Sequence, residues 1–309
     1  MRRLAFAAAA IAVAAGAGFW LLTGPDRLEA SEIADVEAGD ATRGETVFWA
    51  GGCASCHAAP GADGEARKEL GGGLELATEF GTFVAPNISS HPEDGIGAWS
   101  EEDFLNAMMR GVSPDGRHYY PAFPYTSYAR MDPQDVADLF AFMKTLPAVE
   151  GEAGEHKLGF PFNIRRGLGL WKALHLDSDH VLTLPANAPE ELLRGRYLVE
   201  GPGHCGECHS PRDFSGGIKR DEWLAGAVSA EGDGVVPNIT PGDDGIGGWS
   251  QSDIAFYLES GFTPDFDSVG GAMVSVQKNM AQLDDADRQA IAAYLKAVEA
   301  RPDGYPSSR

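Results

Sequence analysis

Two pentapeptides restrict this chain more than any other feature: "CASCH" at 53–57 and "CGECH" at 205–209, which together use all four cysteines of its 309 residues. A disulfide framework has no need of a histidine after each second cysteine. A zinc site calls for further ligands close by. A thioredoxin-like pair belongs in a βαβ pattern, and none is visible here. The spacing suits covalent attachment of haem. Two thiols on one short helical turn can each form a thioether with one vinyl group, and the adjacent histidine reaches the iron from the same side. The sequence therefore predicts two haem c groups. Cys53 and Cys56 hold the first and Cys205 and Cys208 the second, with His57 and His209 as the axial ligands.

The segments that follow the two pentapeptides form an internal repeat. "APNISSHPEDGIGAWSEEDF" (85–104) pairs with "VPNITPGDDGIGGWSQSDI" (236–254), and "MMRGVSPDG" (108–116) with "LESGFTPDF" (258–266). From Trp99/Trp249 to Phe123/Met273 the alignment needs no gap. Each copy closes on an acidic start and a helical apolar pattern, "DPQDVADLFAFMKTL" (132–146) and "DDADRQAIAAYLKAV" (284–298). The leading Asp is a natural N-cap, and Leu139, Phe142 and Leu146 recur at helical spacing. Strand-like alternation is weak throughout. The fold class expected is all-α: two tandem class I cytochrome c-like domains after an N-terminal transmembrane helix. The first haem-domain helix is expected near 41–52, carrying "CASCH" at its end, and its counterpart at 190–200.

Arg2 and Arg3 precede a run from Leu4 to Leu22 that is uncharged and mostly apolar. At about 1.5 Å per residue that run reaches roughly 28 Å, enough to cross a hydrocarbon core. The arginines belong on the cytoplasmic side, which places the haem domains in the periplasm on an inner-membrane, single-pass anchor. A cleaved signal peptide with "AGA" at 15–17 as its small-residue site is the competing reading. The division expected is 1–23 anchor, 24–37 stalk, 38–148 first domain, 149–188 connector, 189–300 second domain and 301–309 tail. The connector holds "FPFNIRRGLGLWKALH" (160–175), too apolar for a free linker. It is expected to pack across one or both domains, with Arg165 and Arg166 near haem propionates or surface carboxylates. A formal charge of −22 without a basic cluster beyond the N-terminus argues against nucleic-acid binding. That acidity suits either a cationic partner or solubility alone.

The anchor, the two C-x-x-C-H units, "PNI" followed by "GIG-WS", "YPAFPYTSY" (120–128), "FPFNIR" and "GHCGECHSPR" resemble the exported cytochrome c subunits of membrane-associated bacterial dehydrogenases. The resemblance covers about 40 to 300. It implies a periplasmic catalytic subunit as electron donor, of the quinoprotein, flavin or molybdenum kind. It also implies an acceptor such as a soluble cytochrome, an oxidase or the quinone pool. Related subunits with three haems exist, whereas this chain has two sites. The family pattern leads one to expect a methionine at 123, so Phe123 is a departure.

Met273 is the candidate distal ligand of the second haem, with Met280 as competitor; a methionine that only fills core space is the plain alternative. For the first haem the candidates are His118, Met131, Met108 and Met109, or an iron without a protein ligand on that side. His118 equally suits a propionate contact at the haem edge. Pro86 and Pro237 suit either the carbonyl that in small c-type cytochromes accepts from the proximal histidine or an ordinary loop proline. Trp99 and Trp249 suit either a propionate contact or packing. Electron transfer is the leading function. The alternative is a dihaem enzyme with an open first iron, peroxidase-like or thiosulfate-oxidising. A bare membrane tether does not explain two haems.

Overall fold

A computed structural model describes residues 2–230 and 234–301; most of the 301–309 tail lies outside them. Helix α1 (Arg2–Leu22) has no buried residue. It is the one described helix long and apolar enough to cross a membrane, and it fits an anchor or a signal sequence.

The first domain contains α2 (Ala41–Ala50), α3 (Cys53–His57), β1 (Glu75–Thr78), β2 (Gly81–Val84), α4 (Glu101–Arg110), α5 (Tyr125–Tyr128) and α6 (Pro133–Met143). A connector carries β3 (Lys157–Leu158) and α7 (Leu168–His175). The second domain contains α8 (Glu190–Glu200), α9 (Gly206–His209), β4 (Ala227–Val228), β5 (Val235–Val236), α10 (Gln251–Ser260), α11 (Met273–Met280) and α12 (Asp285–Ala297). Asp132 and Asp284 cap α6 and α12 by accepting from Gln134 N and Asp287 N. Ser100/Asp103 and Ser250/Asp253 form reciprocal capping boxes at α4 and α10. The helix expected at 190–200 is present as α8. The one expected at 41–52 ends at Ala50, because Gly51 and Gly52 interrupt it. Gly52 sits at φ 61°, a left-handed conformation that glycine adopts without steric cost. "CASCH" thus forms a turn of its own.

Helices dominate, but the fold is not all-α. An antiparallel sheet runs β1-β2-β3, with Leu76 opposite Phe83 and Thr82 opposite Lys157. β4 and β5 form a two-stranded ribbon. Strands of two to four residues are too short for a period-2 signal to emerge from sequence.

In each domain the first helix crosses the last at a glycine. A Cβ on Gly44 would lie 1.9 Å from the Asp138 carbonyl oxygen, and one on Gly195 1.9 Å from that of Ala290. A side chain there must push the two backbones apart. Around these crossings Phe48, Leu139, Val136, Val199, Ala292 and Tyr294 are almost completely buried. Gly44→Val should destabilise the first domain by about 3 kcal/mol or more through overpacking against unyielding backbone. Denaturant titration of the haem absorbance checks this; an unchanged midpoint would contradict the close crossing.

Beside the crossing, the Asp138 carboxylate is fully buried and accepts from Arg43 Nε (2.5 Å), Arg43 Nη2 (2.9 Å), the Asp40 amide (2.7 Å) and Gln134 Nε2 (3.0 Å). Burial pushes its pKa up, but these donors outweigh burial and hold it below the ordinary carboxylate range. A depressed folded pKa contributes stability above the unfolded value, and that stability is lost as pH falls through the lower folded value. Arg43→Ala leaves the buried carboxylate with two fewer donors and should lower stability at neutral pH. Unfolding midpoints measured from pH 7 to pH 3 should show that penalty shrinking as the carboxylate protonates.

Residues 24–37, expected as a stalk, lie docked on the first domain as a strap. Leu28 is buried, and its amide donates to Asn106 Oδ1 (2.9 Å). Arg27 donates to the Ser113 and Pro114 carbonyls, Arg110 pairs with Glu32, and the Glu37 amide donates to Gln134. Every one of these partners lies far along the chain, so sequence proximity gave no sign of them.

The connector also departs from expectation. Trp171 and Lys172 do pack inward: the indole donates to the Ser215 carbonyl (2.9 Å), and the ammonium to the carbonyls of Arg110 (2.7 Å) and Gly111 (2.6 Å). Phe160, Phe162, Ile164, Leu170 and Leu174 remain exposed. Arg165 meets no carboxylate among the described residues; it donates to the His118 carbonyl (3.0 Å) and lies over the Tyr120 ring. Arg166 donates to Thr23 Oγ1 (3.0 Å) and the Trp20 carbonyl and covers the Trp20 ring.

Candidate haem-binding sites

The internal repeat is preserved as geometry. The Gly72 amide donates to the His57 carbonyl at 2.8 Å, and the Gly226 amide to that of His209 at 2.7 Å. The Ile88 amide donates to the Leu70 carbonyl, and the Ile239 amide to Leu224, both at 3.0 Å. The loops beyond carry matching bridges, Val112 to His118 and Phe262 to Ser268.

Each attachment turn presents its histidine in one orientation. His57 Nδ1 lies 2.9 Å from the Pro86 carbonyl oxygen, and His209 Nδ1 lies 2.8 Å from that of Pro237. Burial pushes both imidazoles down, and the proline carbonyls oppose that shift. A neutral ring that donates from Nδ1 leaves the Nε2 lone pair free, which is the tautomer an iron ligand needs. Burial likewise pushes the Cys53 and Cys205 thiols up to about 12. The residues therefore fit haem c: two thiols and one oriented imidazole in each turn. No group of three or more His, Cys, Asp or Glu suited to a bare metal ion occurs among the described residues.

On the opposite side the two copies differ. Met273 heads α11 and is half-buried against the core. Met273, Val276 and Met280 share the face of α11 turned to the second domain's core, whereas Val274, Ser275 and Lys278 line a cleft against the first attachment turn. In the first copy Phe123 sits among aromatic rings, 5.7 Å from Tyr119, 5.6 Å from Tyr128 and 6.5 Å from Tyr125 between centroids.

The first-haem candidates are scattered. His118 is buried with Nε2 2.9 Å from the Thr23 carbonyl oxygen, so it ties the foot of α1 to the first domain. Its Nε2 is thus engaged by backbone, while its Nδ1 is buried with no hydrogen-bond partner among the described residues. Met131 faces the second domain, its Cγ 3.5 Å from the Cβ position of Gly201. Met108 is buried on α4 where the second copy has the buried Leu258, which marks the position as core. Met109 is buried on the same helix. Trp99 and Trp249 are half-buried against the core, and neither indole N–H has a protein acceptor among the described residues.

The two attachment turns meet. His204 Nε2 lies 3.3 Å from the Gly51 carbonyl oxygen. Each domain also seats the helix that follows its distal loop on the other's turn. Thr126 and Ser127 of α5 donate to Glu207 Oε1 at 2.8 and 3.0 Å. Asn279 of α11 donates to Ser55 Oγ at 2.6 Å and accepts from Arg67. Ser55 and Glu207 occupy the same place in "CASCH" and "CGECH". Burial raises Glu207, but Arg212 and the hydroxyl donors hold it below the ordinary range. Sequence reasoning missed Glu207, Arg67 and Asn279, whose partners belong to the other domain. It also missed Gly44 and Gly195, although the "RG" pair at 43–44 and 194–195 recurs in both first helices.

Helical domains closed by a glycine crossing, each with a C-x-x-C-H turn backed by a proline carbonyl, define the class: the chain belongs to the cytochrome c family, whose profile matches residues 41–147 and 193–299. Among its relatives, a "Diheme cytochrome c-type" protein of Cereibacter sphaeroides is 54% identical over 97% of this chain and 99% of its own length. The cytochrome c subunit of the quinone-type alcohol dehydrogenase of Gluconobacter oxydans is 35% identical over 89% of the chain. The gluconate 2-dehydrogenase cytochrome c subunit of Pantoea cypripedii is likewise 35% identical over 89% of the chain. This chain spans 58% and 63% of those two subunits' lengths. It is a dihaem cytochrome c.

Proposed function

We propose that this chain is the membrane-anchored electron-transfer subunit of a periplasmic dehydrogenase. It would take electrons from the catalytic subunit and pass them to a soluble cytochrome, an oxidase or the quinone pool. The carrying observation is the contact of the two attachment turns through His204 and Gly51, braced by α5 on Glu207 and α11 on Ser55. Such bracing holds two redox centres at fixed separation, which electron passage within one protein requires. The names of the dehydrogenase cytochrome subunits among the relatives support the same reading.

Cys53, Cys56, Cys205 and Cys208 would hold the porphyrins covalently, His57 and His209 would ligate the two irons, and Met273 would be a further ligand of the second. Bound haem supplies an iron that changes between ferric and ferrous states. The Pro86 and Pro237 carbonyls fix the imidazole rings and strengthen them as donors. The aromatic cluster around Phe123 fills the corresponding place in the first domain and keeps water out. The relatives named as cytochrome subunits of dehydrogenases speak for electron transfer over the enzymatic alternative.

The test is a chromosomal deletion of this chain. Membranes should lose oxygen uptake with the dehydrogenase substrate yet retain reduction of an artificial dye. Undiminished oxygen uptake with every substrate that the organism's periplasmic dehydrogenases oxidise would overturn the proposal.

A further inference from the structure

Helix α7 is inside out for a surface helix. Its charged Lys172 is buried, while Leu170 and Leu174 are 47% and 77% exposed. Just upstream, Phe160 (81%), Phe162 (46%) and Ile164 (50%) are exposed as well. Five large apolar side chains within fifteen residues exceed what scattered surface exposure accounts for.

This patch is fastened to the foot of α1. Arg166 donates to Thr23 Oγ1 and to the Trp20 carbonyl, and its guanidinium lies 4.1 Å from the Trp20 ring centroid. A Cβ on Gly169, at the start of α7, would lie 2.6 Å from the Thr23 backbone. Lys172 and His118 secure the same corner to the first domain. A span of this length ends where hydrocarbon meets headgroups, and an Arg–Trp pair is typical of that depth. Whatever is bonded to residues 20–24 therefore lies at the bilayer surface. The local charge agrees. In a chain of net charge −22, no acidic residue occurs between Glu155 and Asp177, while Lys157, Arg165, Arg166 and Lys172 do.

We propose that residues 160–174 form a lipid-facing wedge. Phe160, Phe162, Ile164, Leu170 and Leu174 enter the outer leaflet of the membrane that α1 crosses, and so fix the haem domains against its surface. The proposal rests on α1 being a retained anchor. A catalytic subunit seated on the same face is the competing occupant. The absence of acidic residues and the bonds to the foot of the span favour lipid.

The test uses the full-length dihaem protein in vesicles of phosphatidylethanolamine and phosphatidylglycerol, and in native membranes. A photo-reactive benzophenone side chain replaces Leu174 or Phe160; a control carries it at the exposed Phe266 of the second domain. Lipid adducts at 160 and 174 should exceed those at 266 by at least about fivefold, as expected of side chains held at the acyl boundary. Equal yields in vesicles, or polypeptide adducts in place of lipid adducts in native membranes, would overturn the wedge. Recovery of the native protein in the soluble fraction would overturn the anchor beneath it. Membrane-bound protein without lipid adducts would overturn the wedge alone.

Discussion

Serine in place of both Cys53 and Cys56 should give a protein lighter by the mass of one haem, with the second haem's spectrum retained. The converse pair, Cys205→Ser and Cys208→Ser, should leave only the first. Each attachment turn holds its own histidine against its own proline, at 2.9 Å for Pro86 and 2.8 Å for Pro237, so the sites do not share ligands. Loss of a covalent haem also removes a large apolar body from a small domain. The affected domain should lose several kcal/mol of stability, of the order seen when a bound group that favours the native state is withdrawn. Intact-mass measurement and the reduced haem spectrum check this. Retention of two haems by either double variant would refute separate attachment.

Met273→Ala should produce the larger functional change. Methionine opposite histidine raises a c-type potential, and axial-ligand identity moves haem potentials over a range of roughly 0.8 V. The second haem should therefore drop from the high-potential to the low-potential centre and lose its sulfur–iron charge-transfer band. The wild type should show that band for one haem. Phe123→Met places a thioether at the matching position of the first copy and should add a second band if the loop closes on the iron. Spectroelectrochemical titration of the three proteins decides the matter. Two sulfur-ligated centres in the wild type would mean that another methionine serves the first haem. The band surviving Met273→Ala would pass the role to Met280, one face-repeat further along α11.

Chemistry of local spacing was fully legible in the chain. The two C-x-x-C-H turns, the Asp caps of α6 and α12 and the repeat, gapless from Trp99/Trp249 to Phe123/Met273, are set within short segments. Covalent reach, hydrogen-bond geometry and helical period act over such distances and leave a mark in residue order. The Arg-Gly pairs at 43–44 and 194–195 were visible too, but their meaning depends on a backbone that arrives from about a hundred residues away.

Tertiary structure alone decided the rest. His118, a candidate ligand or haem-edge contact by sequence, has its Nε2 at the Thr23 carbonyl oxygen, and the segment 24–37 docks on the first domain. The apolar connector was expected to pack, yet Leu170 and Leu174 remain outside, because burying Lys172 against two carbonyls turns the other face of α7 outward. Above all, Ser55 and Glu207 are unremarkable in sequence, yet each receives the distal helix of the other domain. The sequence determined two haem attachment turns, because each is built from residues a few positions apart. Where those sites lie relative to each other and to the membrane depends on contacts between segments whose order along the chain carries no record of their meeting.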